Sequence, residues 1–144
     1  MIERLRIMNK TYNIFISHSW AYSDYYNRLL RLMEKDWSFN YKDYSVPKDD
    51  PIHTNGTDTQ LYAAIKEQIS HASVVLVLAG VYSTYSKWIN KEIKIASSEF
   101  AVPKPIIAIQ PWRSERTSKT VKEAADIIVG WNSNSIIEAI KNLS

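Results

Sequence analysis

Val74 to Ala79 is the longest uninterrupted apolar run in the chain, and it constrains the fold more than any other stretch. It is far short of the roughly 20 residues a membrane span needs. Rich in valine and lacking any polar alternation, Val74 to Leu78 reads as a strand covered on both faces, which is the habit of a central strand in a parallel sheet. Gly80 then opens a loop. From Trp88 to Phe100 the pattern turns helical: at roughly 100° per residue, Trp88, Ile89, Ile93, Ile95, Ala96 and Phe100 share one sector, with Asn90, Lys91, Lys94, Ser97 and Ser98 opposite. Glu92 falls inside the apolar sector. With Ser86 as the natural N-cap, a capping acid belongs at position 89, so capping does not explain Glu92. A carboxylate so placed must reach a polar cleft, find a donor, or take up a proton. Glu99, in the same sector near the helix end, is expected to reach solvent and is given no role.

The remaining elements follow from period and punctuation. Tyr12 to Ser17 is a compact strand ending in the polar-aromatic loop of His18, Ser19 and Trp20. Tyr26, Leu29, Leu30 and Met33 mark an amphipathic helix from about Tyr22 to Lys35. A second strand is expected between Trp37 and Val46, stopped by Pro47. Pro47 to Thr57 gathers two prolines, two aspartates, Asn55 and Gly56 into a long exposed loop. Thr57 or Asp58 caps a helix to about His71. Beyond the central unit come a strand at Pro105 to Ile109, a polar loop from Gln110 to Ser118, a short helix at Thr120 to Ala125, a strand at Asp126 to Val129, and a closing helix from Ser133 to Asn142. Strand and helix alternate five times, predicting an α/β, flavodoxin-like three-layer sandwich with a five-stranded, mostly parallel sheet in the order 2-1-3-4-5. The expected organisation is a lead-in at 1-11 and a single domain at 12-144.

In such sheets ligands bind beyond the carboxyl ends of the strands, at the point where strand order reverses. Ser17 to Trp20, Tyr44 to Asp50 and Gly80 to Ser86 should therefore share one rim, with Glu92 behind them. Among these, Ser17, His18, Trp20, Tyr44, Gly80 and Tyr85, together with Trp88 one helical turn before Glu92, are the candidate ligand contacts.

Several functions are disfavoured. Neither GxGxxG nor GxxxxGK[ST] occurs, which argues against the usual dinucleotide and P-loop sites. His18, His53 and His71 lack paired-ligand spacing, so no metal site is expected. Adjacent Ser17 and His18 point to opposite faces of a strand and cannot form a nucleophile–base pair. The chain has no cysteine, in keeping with a reducing compartment. Its 18 basic and 15 acidic residues are interspersed, a weak footprint for nucleic acid. The first ten residues lack the apolar core of a secretory signal.

The segments YNIFISHSW, YSVPKDDP, VVLVLAGVYSTYS and WINKE together resemble a bacterial Toll/interleukin-1 receptor (TIR) domain, from about Tyr12 to Leu143. The most specific piece is Trp88-x-x-x-Glu92, which resembles the signature of enzymatically active TIR domains. Most similar in kind are the stand-alone TIR proteins of Thoeris anti-phage systems. The resemblance implies an NAD⁺ nucleosidase or ADP-ribosyl cyclase in the cytoplasm, with NAD⁺ as substrate and no further cofactor. Glu92 would be its catalytic residue, Ser17 to Trp20 the region at the nicotinamide-side ribose, and Tyr44 to Pro51 the BB loop. It also implies homo-oligomer formation through TIR–TIR contacts and a downstream effector that senses an ADP-ribose-derived product. The alternative is a non-enzymatic interaction module acting by homotypic assembly.

One carboxylate suffices for the implied reaction. Glycosidases use two because an alkoxide leaving group needs a proton, whereas nicotinamide leaves its cationic form as a neutral molecule. What remains to be stabilised is an oxocarbenium-like ribosyl cation.

Overall fold

Strands and helices alternate along the chain: β1 (Thr11–Ser17), α1 (Ser23–Glu34), β2 (Asn40–Asp43), α2 (Asp58–His71), β3 (Val74–Leu78), α3 (Lys87–Ser98), β4 (Ile106–Ile109), α4 (Lys119–Ala124), β5 (Ile127–Val129) and α5 (Ser133–Leu143). The computed structural model describes residues 10–17, 23–45, 57–79, 87–110 and 119–144. Within them lies one five-stranded sheet in the order β2-β1-β3-β4-β5, parallel at every pairing. The expected architecture and strand order are those of the structure.

The three central strands, β1, β3 and β4, are covered on both faces. On one side Tyr12, Ile14 and Ile16 of β1, Leu76 and Leu78 of β3 and Ile107 and Ile109 of β4 pack against Leu29 and Met33 of α1 and Ile136, Ile137 and Ile140 of α5. On the other, Phe15, Val75, Val77, Ile106 and Ala108 meet Leu61, Ile65 and Ile69 of α2, Ile89, Ile93, Ile95 and Ala96 of α3 and Val121 of α4. This is the period-2 alternation of a strand read against the wider stripe of a helix. Val74 to Leu78 is buried at every position, as its composition requires.

Local chemistry sets the ends. Thr57 and Gln60 form a capping box: the Thr57 side chain accepts the Gln60 N–H at 3.2 Å, and Gln60 Oε1 accepts the Thr57 N–H at 2.9 Å. Asn132 caps α5, its side chain accepting the Ser135 N–H at 3.1 Å. Helix α3 stops two residues short of Phe100, and the Lys104 N–H returns to the Ala96 carbonyl at 2.9 Å, satisfying one acceptor at the helix end. Strand β2 is much shorter than the expected span from Trp37. The Asp36 carboxylate accepts the Ser38 N–H at 2.9 Å and the Ser38 hydroxyl at 2.6 Å, closing a turn that leaves Trp37 exposed and delays pairing until Asn40.

Candidate active site

Ser17 ends β1, paired with Val77 of β3, where the chain's strand order reverses: from β1 the sheet grows first to β2 on one side, then to β3 on the other. The alternation that sends Ile14 and Ile16 to the α1/α5 face sends Phe15 to the α2/α3 face. Ser17 continues the Phe15 row. It is fully buried, and with Glu92, at 5% exposure, it makes up the buried polar or charged residues among those described.

Glu92 arrives from the opposite direction. Ile89 and Ala96 flank it on the same stripe of α3, Ile93 adjoins it, and all three are buried. Burial pushes its carboxyl pKa up to about 8, and the nearby Ser17 hydroxyl pulls in the other direction with a smaller effect. Close as the two groups are, neither Ser17 Oγ nor Glu92 Oε2 completes a hydrogen bond of ordinary geometry among the described residues. The structure thus brings together Ser17 and Glu92, drawn from separate parts of the chain, at the carboxyl ends of two central strands. A buried carboxyl with an unfilled acceptor, held by apolar neighbours, can stabilise a cation, accept a hydrogen bond or transfer a proton.

The other candidate contacts are placed differently. Tyr44 does not join Glu92. Its N–H donates to the Ile14 carbonyl at 2.8 Å, three residues before the rim on β1, and its ring stacks on His71 at 5.5 Å. His71 closes α2 just before β3 begins, so the ring turns toward the strand starts, with Lys42 Nζ 4.9 Å from its centroid. Trp88 lies in the first turn of α3, but its side chain, like the whole of His18, Trp20, Gly80 and Tyr85, lies outside the described residues. So does most of the segment read as the BB loop. Glu99 is not simply released to solvent: the Tyr62 hydroxyl donates to it and Lys66 Nζ lies at 3.1 Å.

One polar network escapes a reading of local pattern. The Tyr26 hydroxyl donates to Asp43, whose other carboxylate oxygen accepts the Ser45 N–H at 2.9 Å. The Ser45 hydroxyl bonds the same carboxylate and accepts the Ile16 N–H at 2.9 Å. This latch ties α1, the end of β2 and the last turn of β1 before Ser17. The aspartate two residues before a serine at a strand end is the usual signal for such a turn, but the Ile16 partner lies 29 residues away. Among the described residues no cluster of three or more His, Cys, Asp or Glu could hold a metal ion. No helix there is long and apolar enough to cross a membrane.

Comparison with known proteins adds two findings. The family model described as "Thoeris protein ThsB, TIR-like domain" matches residues 15–116, well over half of the chain and inclusive of Ser17 and Glu92. The structure of the Clostridium botulinum CMP N-glycosidase, BcmB, is similar in fold, with a TM-score of 0.53 at 13% sequence identity over 90% of this chain and 98% of that one. No curated protein matches the chain by sequence.

Proposed function

The chain belongs to the Thoeris ThsB TIR-like domain family, and from that premise we propose that it cleaves the nicotinamide–ribosyl bond of NAD⁺. The observation that carries this reading is Glu92: a carboxyl buried among apolar side chains, with an unfilled oxygen, at the end of the β1–β3 pair. In the reaction, the bond between ribose C1′ and the ring nitrogen breaks with its electron pair going to nicotinamide, which departs neutral. The Glu92 carboxylate faces the developing ribosyl cation, and an acceptor oxygen or nitrogen adds to C1′ and gives up its proton. Water as acceptor yields ADP-ribose; an internal acceptor on the same nucleotide yields a cyclic isomer. Exclusion of water favours the second outcome. The product would serve a separate effector as a signal in anti-phage defence, the enzyme acting in the cytoplasm as an assembly of TIR domains.

Glu92 rests largely protonated at neutral pH, its pKa being about 8. A cationic nicotinamide ring beside it favours the ionised form, so substrate binding should expel the proton and kcat/KM should rise with pH toward about 8.

A second reading has its own support. A protonated buried carboxyl is suited to donate to a neutral base that must leave as an anion, and the similar fold from Clostridium botulinum is that of a CMP N-glycosidase. If a pyrimidine nucleotide were the substrate, activity would fall as pH rises through about 8. Incubation with NAD⁺ and, separately, with CMP from pH 6 to 9, followed by chromatography, decides between them. Nicotinamide release that grows with pH supports NAD⁺ cleavage. Cytosine release that declines with pH supports the other reading. Release of neither base from either nucleotide, at concentrations where the protein self-associates, would turn the assignment toward an interaction module.

A further inference from the structure

Ser17 Oγ and Glu92 Oε2 are the buried side-chain polar atoms left without a hydrogen-bond partner among the described residues, and they lie at one place in the fold. A hydroxyl sealed into the end of a central strand is costly without return, and its neighbours in the same layer, Phe15, Val75 and Val77, are all apolar. We propose that Ser17 is a positioning residue for Glu92: its hydroxyl partners the carboxyl in both protonation states, holds the charged form in place and leaves one oxygen aimed at the substrate. This rests on the reading of Glu92 as the reacting carboxylate.

The choice of serine follows from what each state needs. A neutral carboxyl can donate a hydrogen bond and an ionised one can only accept, while a hydroxyl has one donor and two acceptor lone pairs on a free rotor. Small rotations of Ser17 χ1 and of the O–H bond therefore let the pair track the proton. Alanine would fill the same space without a partner for either state.

Among the described residues, the charges on the surrounding elements do not compete for Glu92. On α2, Tyr62 and Lys66 engage Glu99, and Asp58, Glu67 and His71 are exposed. On α4, Lys119 pairs with Glu123 in solvent, and Lys122 is exposed. On α3 itself Lys94 is exposed and Lys91 half-buried. Tyr44, on the same face of the sheet, faces His71. Burial and Ser17 are the influences on the Glu92 carboxyl that the structure resolves.

The test reads Glu92 with and without substrate. Equilibrium unfolding in denaturant, from pH 4 to 10, is compared for the full chain, Glu92→Gln, Ser17→Ala, Ser17→Thr and the double variant Ser17→Ala/Glu92→Gln. The pH at which the Glu92-dependent loss of stability levels off reports its folded pKa. In Ser17→Ala that plateau is expected about one pH unit higher, a tenfold change in ionisation constant. Ser17→Thr, which keeps the hydroxyl, should return it toward the parent value. An unmoved plateau in Ser17→Ala overturns the proposal. If Ser17→Ala does not unfold cooperatively, the ¹³C carboxyl resonance of Glu92 is titrated in Ser17→Cys, whose thiol is a weak donor, with the same upward shift expected and an unchanged titration overturning it. In the NAD⁺ assay the rate profile of Ser17→Ala should move up by the same amount, rate lost at neutral pH returning at high pH; a uniform loss at all pH values marks a merely structural serine. Failure of the parent protein to release nicotinamide counts against the proposed function alone, because the unfolding series still decides the role of Ser17.

Discussion

Two glutamates on one stripe, one inside α3 and one just beyond its end, meet opposite fates. Glu92 and Glu99 are seven residues apart, nearly in register on the same stripe at 3.6 residues per turn. Glu99, just past the end of α3, keeps 30% of its side chain exposed and takes the Tyr62 hydroxyl and the Lys66 ammonium. Those two partners, the Tyr62 hydrogen bond foremost, hold its pKa below the usual carboxylate range. Glu92, two turns deeper, meets the sheet beside Ser17 with no completed hydrogen bond at Oε2, and burial raises its pKa to about 8. A sector position therefore does not determine a carboxylate's chemistry; what the facing layer offers does. Helix α2 supplies donors to the outer end of the stripe; among the described residues the inner end meets Ser17 alone.

The largest expected effect that sharpens this contrast is on catalysis. Glu92→Gln keeps volume and removes charge, and loss of one such preorganised group commonly costs about a hundredfold or more in rate. Nicotinamide release should fall by at least that much while the cooperative melt is retained. Undiminished turnover, or a collapsed fold, would break the contrast at its active end.

Next in size is a pH effect on stability with a definite sign. Because burial lifts the folded pKa of Glu92 above the 4.5 of a free glutamate, the folded state holds a proton that the unfolded chain releases between those values. Its contribution is present in full below about pH 4.5 and is lost as pH climbs to about 8. At about 1.4 kcal/mol per pKa unit, the swing is on the order of 4–5 kcal/mol for a group this fully buried. Denaturant midpoints should decline across that window in the parent protein and stay flat in Glu92→Gln, which should be the more stable of the two at pH 9. Parallel curves for the two proteins would mean that Glu92 titrates normally.

Periodicity alone reveals the outline of this arrangement and stops short of its details. The limits of α2 and β3 and the placing of Glu92 in an apolar sector follow from short-range pattern, since burial repeats along the chain at the period of its own element; the strand order, and with it the rim that Ser17 shares with Glu92, follows from the rules for alternating strands and helices. What was hidden depends on contacts between distant segments. The turn of the Tyr44 ring toward His71, 27 residues on, and the pairing of Glu99 with α2 leave no trace within a window of ten residues. The Asp36 turn that shortens β2 was local and readable in principle, its signature being an aspartate two residues before a serine.

A middle-sized effect tests whether the rim depends on a latch away from both glutamates. Ser45→Ala removes the acceptor of the Ile16 N–H and a partner of Asp43, one residue from Ser17. A loss of about 1 kcal/mol is expected from the denaturant midpoint, with a fall in nicotinamide release larger than stability alone explains, because Ile16 and Ser17 share the same strand end. Tyr26→Phe, which takes only the outer donor from Asp43, should do less. Equal effects from the two would place the burden on Asp43 rather than on Ser45.

The smallest expected effect belongs to the outer glutamate, and its sign opposes that of Glu92. The folded pKa of Glu99 is depressed by Tyr62 and Lys66, so whatever it contributes is present at neutral pH and is lost as pH falls through that lowered value. Its two partners sit at the surface, where salt screens the Lys66 charge and little net stability survives. Glu99→Gln should therefore leave nicotinamide release unchanged and lower the melting temperature only slightly at pH 7, less still in high salt, the difference vanishing as pH falls through the lowered value. The same titration that flattens on mutating Glu92 should keep its decline toward pH 8 here, since the inner carboxyl is untouched. Loss of activity comparable to that of Glu92→Gln would instead show that the functional surface runs the length of α3, and the division of one stripe into a paired outer end and an unpaired inner end would have to be abandoned.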